Sequence, residues 1–179
     1  MDLVSEAAPP PVPDDHLVLA EVYRDKAGVL RGVALGMTRD PGVADDLVQE
    51  AFIRTLRARG APEDPAELFA YLVRVVLNLT RSHAAKAARR AARRNPHRVE
   101  GAAGSAGDVG EAARPGPLAD AVADLPRRQR EVVFLRFWLD LSVDQTARAM
   151  GISTGAVKTH SARAMDTLRE RVLEDDDEH

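Results

Sequence analysis

Apolar residues recur along this chain at intervals of three and four, the spacing that gathers side chains onto one face of an α-helix. Leu19, Val22, Tyr23, Leu30, Val33, Ala34 and Met37 form the first such stripe. Asp40 followed by Pro41 predicts a new helix start. An N-cap carboxylate accepts from the unpaired N–H groups of a first turn, and proline lacks a donor where none is needed. The second stripe is Ala44, Leu47, Val48, Ala51, Phe52 and Leu56. Gly60-Ala61-Pro62 breaks it, and Asp64-Pro65 opens a third helix carrying Leu68, Tyr71, Leu72, Val75, Val76 and Leu79. No stretch alternates apolar and polar residues for long enough to predict a strand, and no segment repeats.

The periodicity stops between about Asn95 and Pro117, where Gly, Ala, Pro and Ser dominate. Such a segment reads as a disordered linker between two units. Residues 1–15, with Pro9, Pro10, Pro11 and Pro13, and the acidic run Glu174 to Glu178 read as disordered too. Beyond the linker, Leu118 to Leu125 is helical, breaks at Pro126 and resumes through Val132, Val133, Leu135 and Phe137. Leu139-Asp140-Leu141 is a turn. Ser142 with Gln145 three residues on forms a capping box for a short helix that ends at Met150-Gly151. Ser153 caps a last helix running to about Leu173. The expected architecture is all-α, with two small helical domains. Residues 16–94 form a helical bundle, 95–117 a flexible linker and 118–173 a helix-turn-helix domain, flanked by a disordered 1–15 and an acidic tail at 174–179.

Composition narrows the chemistry. There is no cysteine, which excludes disulfides, a thiol nucleophile and Cys-ligated zinc. No apolar run reaches the roughly 18 residues of a membrane span. The N-terminus lacks the basic start and apolar segment of a signal peptide. These features fit an intracellular protein. The formal net charge is −3, so only its distribution can speak for a polyanionic partner.

Ser142 to Lys158 has helix-turn-helix grammar. Ala147 is small enough for close helix approach, Gly151 supplies the positive φ of the turn, and Ile152 and Val157 fill the space between the helices. The last helix then presents Lys158, Thr159, His160 and Arg163 near its N-terminal end, the part that enters a major groove. A helical hairpin without DNA is the plain alternative, and a lone exposed His is usually just solvated.

From Leu68 to Val99 there is no acidic residue, while Arg74, Arg81, Lys86, Arg89, Arg90, Arg93, Arg94 and Arg98 all occur. An array of one sign is an electrostatic footprint for a polyanion; basic residues kept for solubility are normally interleaved with acids. Asn78 stands where an apolar residue would fit, and Asn can hydrogen-bond a base edge or simply face solvent. On the second helix, Asp45, Asp46, Gln49 and Glu50 share a face opposite the apolar stripe. Alone, this face would read as solvated. Paired carboxylates could suggest acid–base catalysis, but no nucleophile and no metal-ligand cluster accompanies them.

Together the three elements resemble a bacterial sigma factor of the sigma-70 family, in its small two-domain extracytoplasmic-function group. Asp46-Leu47-Val48-Gln49-Glu50-Ala51-Phe52 is similar to region 2.2, Tyr71 to Arg90 to regions 2.3 and 2.4, and Leu125 to Val133 plus the helix-turn-helix to region 4. The resemblance implies that Asp46, Gln49 and Glu50 grip the β′ clamp helices of core RNA polymerase. It implies that Arg74, Asn78, Arg81, Lys86, Arg89 and Arg90 melt and read the promoter −10 element. It implies that Lys158, Thr159, His160 and Arg163 read the −35 element. Core polymerase, including its β flap, promoter DNA and an anti-sigma factor are the implied partners, with no cofactor, metal, membrane or catalytic residue. The third helix departs from the family in offering Phe69 and Tyr71 where a Trp often precedes the position of Arg74. In the last helix His160 often corresponds to Arg, and Ser161 replaces a usually apolar residue. A stand-alone helix-turn-helix regulator is the competing function; it leaves the second-helix face and the basic array without a role.

Overall fold

The computed structural model describes residues 14–94 and 117–177. Among them are seven α-helices, one π-helical turn and no strand. α1 (Asp14–Thr38), α2 (Pro41–Arg57) and α3 (Pro65–Arg94) pack on one another. Leu30, Val33, Ala34, Ala44, Val48, Ala51, Leu68, Leu72 and Val76 fill the space between them. Asp40 caps α2, its Oδ1 accepting from Val43 N at 3.0 Å. Asp64 caps α3 by accepting from Ala66 N and Glu67 N at 3.0 and 2.9 Å. Two residues of the expected stripes point outward instead. Leu56 is exposed, and Tyr23, also exposed, lays its ring edge-on against Phe52 at 4.9 Å. Tyr23 is amphipathic and loses little by keeping its hydroxyl end in water, while Leu56 lies in the last turn of α2, and single exposed apolar residues are ordinary at a protein surface.

The second unit comprises α4 (Pro117–Asp124), α5 (Arg127–Val133), a π turn (Phe134–Trp138), α6 (Val143–Met150) and α7 (Thr154–Asp177). The segment expected as a linker, apart from Pro117, lies outside the described residues. The ends of the ordered chain differ slightly from expectation. α1 begins at Asp14, inside the stretch read as disordered, and the backbone of α7 stays helical through Glu174–Asp177. Acidic residues oppose the dipole at a helix C-terminus, which is why this end reads as a stop in the sequence.

The helix that begins with α5 continues through Phe134–Trp138 as a π turn. Leu139 N donates to Phe134 O at 3.0 Å, a bond spanning five residues rather than four. The extra residue rotates the downstream backbone about the helix axis. Leu135 is buried, whereas Phe137, expected on the same apolar run, is 57% exposed, because residues two apart on a helix point about 200° from one another.

The two units pack together. One apolar cluster runs from α1–α3 into Val132, Leu135, Ala147, Ala149, Met150 and Val157. A smaller one joins Ala121 and Leu125 to Ala164 and Leu168. Gly32 and Gly36, one turn apart on α1, face the aromatic rings of the π turn. A Cβ on Gly32 would lie 3.2 Å from Trp138 Nε1, and one on Gly36 would overlap the Phe134 ring. Arg39, in left-handed backbone at φ 58°, extends from the end of α1 toward Asp120 and Asp124 of α4, at 3.6 and 3.8 Å. Nearby, burial and then the like charge of Arg39 hold the Arg130 guanidinium below its ordinary pKa.

Candidate nucleic-acid interface

The helix-turn-helix forms as its caps require. Ser142 Oγ accepts from Gln145 N at 3.1 Å, and Gln145 Oε1 accepts from Ser142 N at 2.7 Å. Gly151 closes α6 in left-handed backbone at φ 67°, a conformation that costs other residues roughly 1–2 kcal/mol. Ala147 and Val157 are buried at the helix crossing, with Ile152 packed alongside. Ser153 Oγ accepts from Ala156 N at 3.1 Å and starts α7. Lys158, Thr159 and Arg163 are exposed on its first turns, and His160 is half-buried beside them. The Thr159 hydroxyl donates to Gly155 O at 3.0 Å, so its side chain is held against its own helix.

Along α3, Arg74, Asn78, Lys86, Arg89 and Arg90 are exposed. Arg74 stacks over the Tyr71 ring at 5.5 Å, pairing the aromatic residue that the helix does possess with a cation. Phe69 is partly buried and lies beneath Lys26 at 5.9 Å. Asn78 Oδ1 accepts from Arg81 Nη1 at 3.3 Å.

Arg81 differs from the other members of the array. It is only 18% exposed, and it donates Nε–H and Nη2–H to the two oxygens of Glu131, both at 2.9 Å. Glu131, on α5, is 1% exposed. Arg128 Nη1 also donates to it at 3.0 Å, and Arg127 Nε lies 3.6 Å away. Sequence reasoning did not single out Glu131, although a signal was present. Glu131 shares the helical stripe of Leu135, four residues on, where a carboxylate is out of place.

On α2, Asp46, Gln49 and Glu50 line a shallow groove with Val43, Leu47, Ile53 and His83 of α3. Glu50 also accepts from Arg54 Nε at 2.7 Å. Asp45, expected on the same face, turns to α1 and accepts from Arg31. Its absence from the groove follows from helix geometry, because successive residues lie about 100° apart. No group of three or more His, Asp or Glu among the described residues could hold a metal ion. No described helix is long and apolar enough to cross a membrane.

The groove, the basic helix and the helix-turn-helix occur in an order met in known proteins. Residues 22–90 match sigma-70 region 2, and residues 116–168 match sigma-70 region 4. The chain is 34% identical over 156 residues to the RNA polymerase sigma-E factor of Streptomyces antibioticus, covering 87% of this chain and 85% of that one. It is 38% identical to the ECF RNA polymerase sigma factor BldN of Streptomyces coelicolor over 74% of this chain and 52% of BldN. The fold resembles the sigma factor RpoE of Bartonella quintana, solved in complex with the anti-sigma factor NepR. The TM-score is 0.67 at 23% identity, over 90% of this chain and 98% of that one. Both halves therefore match one family, in the family's own order, and the chain belongs to it: this is a sigma-70 family RNA polymerase sigma factor of the extracytoplasmic-function group.

Proposed function

We propose that this sigma factor divides its work among three surfaces. The groove of Asp46, Gln49 and Glu50 docks on the β′ clamp helices of core polymerase. Arg74, Asn78, Arg81, Lys86, Arg89 and Arg90 on α3 hold and read the −10 element as it melts. Lys158, Thr159, His160 and Arg163 on α7 read the −35 element as duplex. Residues 16–94 carry the first two tasks and 118–173 the third, with the β flap holding the second unit on the enzyme. The protein makes no bond itself; the polymerase performs the chemistry, in the cytoplasm. An anti-sigma protein is a further partner, since the RpoE relative in its solved complex has one.

The observation that supports this reading most directly is the sign of the charge on α3. Its exposed cations, Arg74, Lys86, Arg89 and Arg90, have no ion-pair partner among the described residues, as a polyanion site needs. Transcription by core polymerase with and without the protein on a promoter library tests it. Specific transcripts should require the protein. The double variant Gln49→Ala/Glu50→Lys should abolish them by weakening core binding about tenfold or more, a loss of about 1.4 kcal/mol, with an unchanged melting temperature. Tight, sequence-specific duplex binding by the full chain without polymerase would instead favour a stand-alone regulator.

A further inference from the structure

We propose that His83 is a polymerase-binding residue of this sigma factor, so that core polymerase grips α3 on one side while the other side holds DNA. The inference rests on the assignment of the α2 groove to core polymerase and deepens it. His83 completes the lining of that groove from α3. It follows Val76 and Leu79, both buried, by seven and four positions, and therefore shares their side of the helix. Asn78, exposed, lies five positions before His83, about 140° away around the axis. The helix that carries the basic array thus turns an imidazole, not a cation, toward the carboxylates of α2.

The groove also indicates what it takes. Its apolar part, Val43, Leu47 and Ile53, is half-buried and suits the apolar ridge of a partner helix. Asp46 is exposed and has no ion-pair partner among the described residues, whereas Glu50 is shared with Arg54. A helix seated here buries its ridge and sets a cation against Asp46. His83, itself half-buried, faces that helix from the α3 wall. A neutral imidazole donates one hydrogen bond and accepts another, so it meets the partner without taking Asp46 from the incoming cation. A lysine or arginine, the residue type of Arg81, Lys86, Arg89 and Arg90, would repel that cation. The interruption of the basic array at position 83 is what a cationic partner on this side requires.

A charge series at this one position, His83→Glu, His83→Gln and His83→Lys, tests the proposal in the full-length chain. Fluorescein-labelled protein titrated with core polymerase gives the dissociation constant. The log–log salt slope of the saturated holoenzyme on promoter DNA reports phosphate contacts. Core binding should stay within about twofold of wild type for Gln, tighten about threefold for Glu and weaken about tenfold for Lys, because the added charge faces the partner's cation. The salt slope should be the same in all three. A DNA contact at His83 makes the opposite prediction: the Lys variant keeps its core affinity and steepens the slope by about one. That result overturns the proposal, as does any ranking of core affinity other than Glu over Gln over Lys. Equal losses in all three would mark a packing role instead. Helicity and a cooperative melt establish that each variant is folded, and where the Lys variant melts early the order of Glu and Gln decides. Failure of the groove assignment has its own signature: Gln49→Ala/Glu50→Lys binds core as wild type does, and the His83 proposal falls with it. A chain weakened by that double change yet indifferent to charge at position 83 removes His83 alone.

Discussion

Arg81 and Glu131 meet through two hydrogen bonds of 2.9 Å in a pocket where the carboxylate is 1% exposed. Removing one member of a buried pair leaves the other uncompensated, at about 3–5 kcal/mol in an isolated pair. Here Arg127 and Arg128 soften the loss. Arg81→Met is expected to cost about 1–3 kcal/mol in chemical unfolding. The double variant Arg81→Met/Glu131→Leu should recover much of it, because an apolar pair can replace a buried ion pair of similar volume. A double-mutant cycle showing simple additivity would mean that the two residues do not support one another.

Thr146 is fully buried on α6, and its hydroxyl has no hydrogen-bond partner. An unpaired buried hydroxyl is costly, whereas valine has nearly the same shape. Thr146→Val should therefore stabilise the protein by about 1 kcal/mol, measured by denaturant titration. A loss of stability would show that the hydroxyl has a partner, such as an internal water.

The caps of the helix-turn-helix give opposite expectations for two small changes. Ser142→Ala removes one half of the capping box and should cost about 1 kcal/mol. Ser142→Gly should cost only a few tenths. Gly151→Ala forces a Cβ into left-handed backbone and should cost roughly 1 kcal/mol or more. Thermal melts of the full chain rank the three.

The two basic surfaces should act at different steps. Arg163→Ala is expected to lower promoter occupancy and, where Arg163 reaches a base edge, to relax one −35 position by about 1–3 kcal/mol. Asn78→Ala should leave closed-complex binding nearly intact and reduce strand opening. Permanganate footprinting of unpaired thymines beside a binding assay separates the steps. A premelted bubble should rescue Asn78→Ala but not Arg163→Ala. Variants that fail together at one step would refute the division.

Salt provides a further check on α3. Removing a cation that neutralises one phosphate should lower the magnitude of the log–log salt slope by about one. Arg89→Ala/Arg90→Ala should therefore flatten the slope for holoenzyme on promoter DNA by about two. An unchanged slope would place both residues off the backbone path.

Much of the fold was legible in the residues. Helix starts were readable because caps are local: Asp40, Asp64, Ser142 and Ser153 each bond N–H groups two or three residues on. The helix-turn-helix was readable because Gly151 and Ala147 answer steric demands within one motif. Contacts between the units were not. Glu131 could be noticed as a carboxylate on an apolar stripe, but nothing local names Arg81 as its partner. The Gly32–Gly36 spacing is an ordinary pair of helix weaknesses until the rings of Phe134 and Trp138 are seen against it. The π turn was hidden for another reason: periodicity assumes a constant 3.6 residues per turn, and one surplus residue changes the phase without changing composition.

That surplus residue has a mechanical meaning. A helix carrying one residue too many is out of phase by about 100° downstream of the insertion. Beyond Phe134 the surplus residue resets the direction in which the chain leaves the helix, and Trp138, at the end of the turn, lies against Gly32. Shortening the segment by a single residue should restore ordinary winding. It would also carry Trp138 off Gly32. The grip of one half of the molecule on the other is thus encoded less by which residues are present than by a count that is off by one.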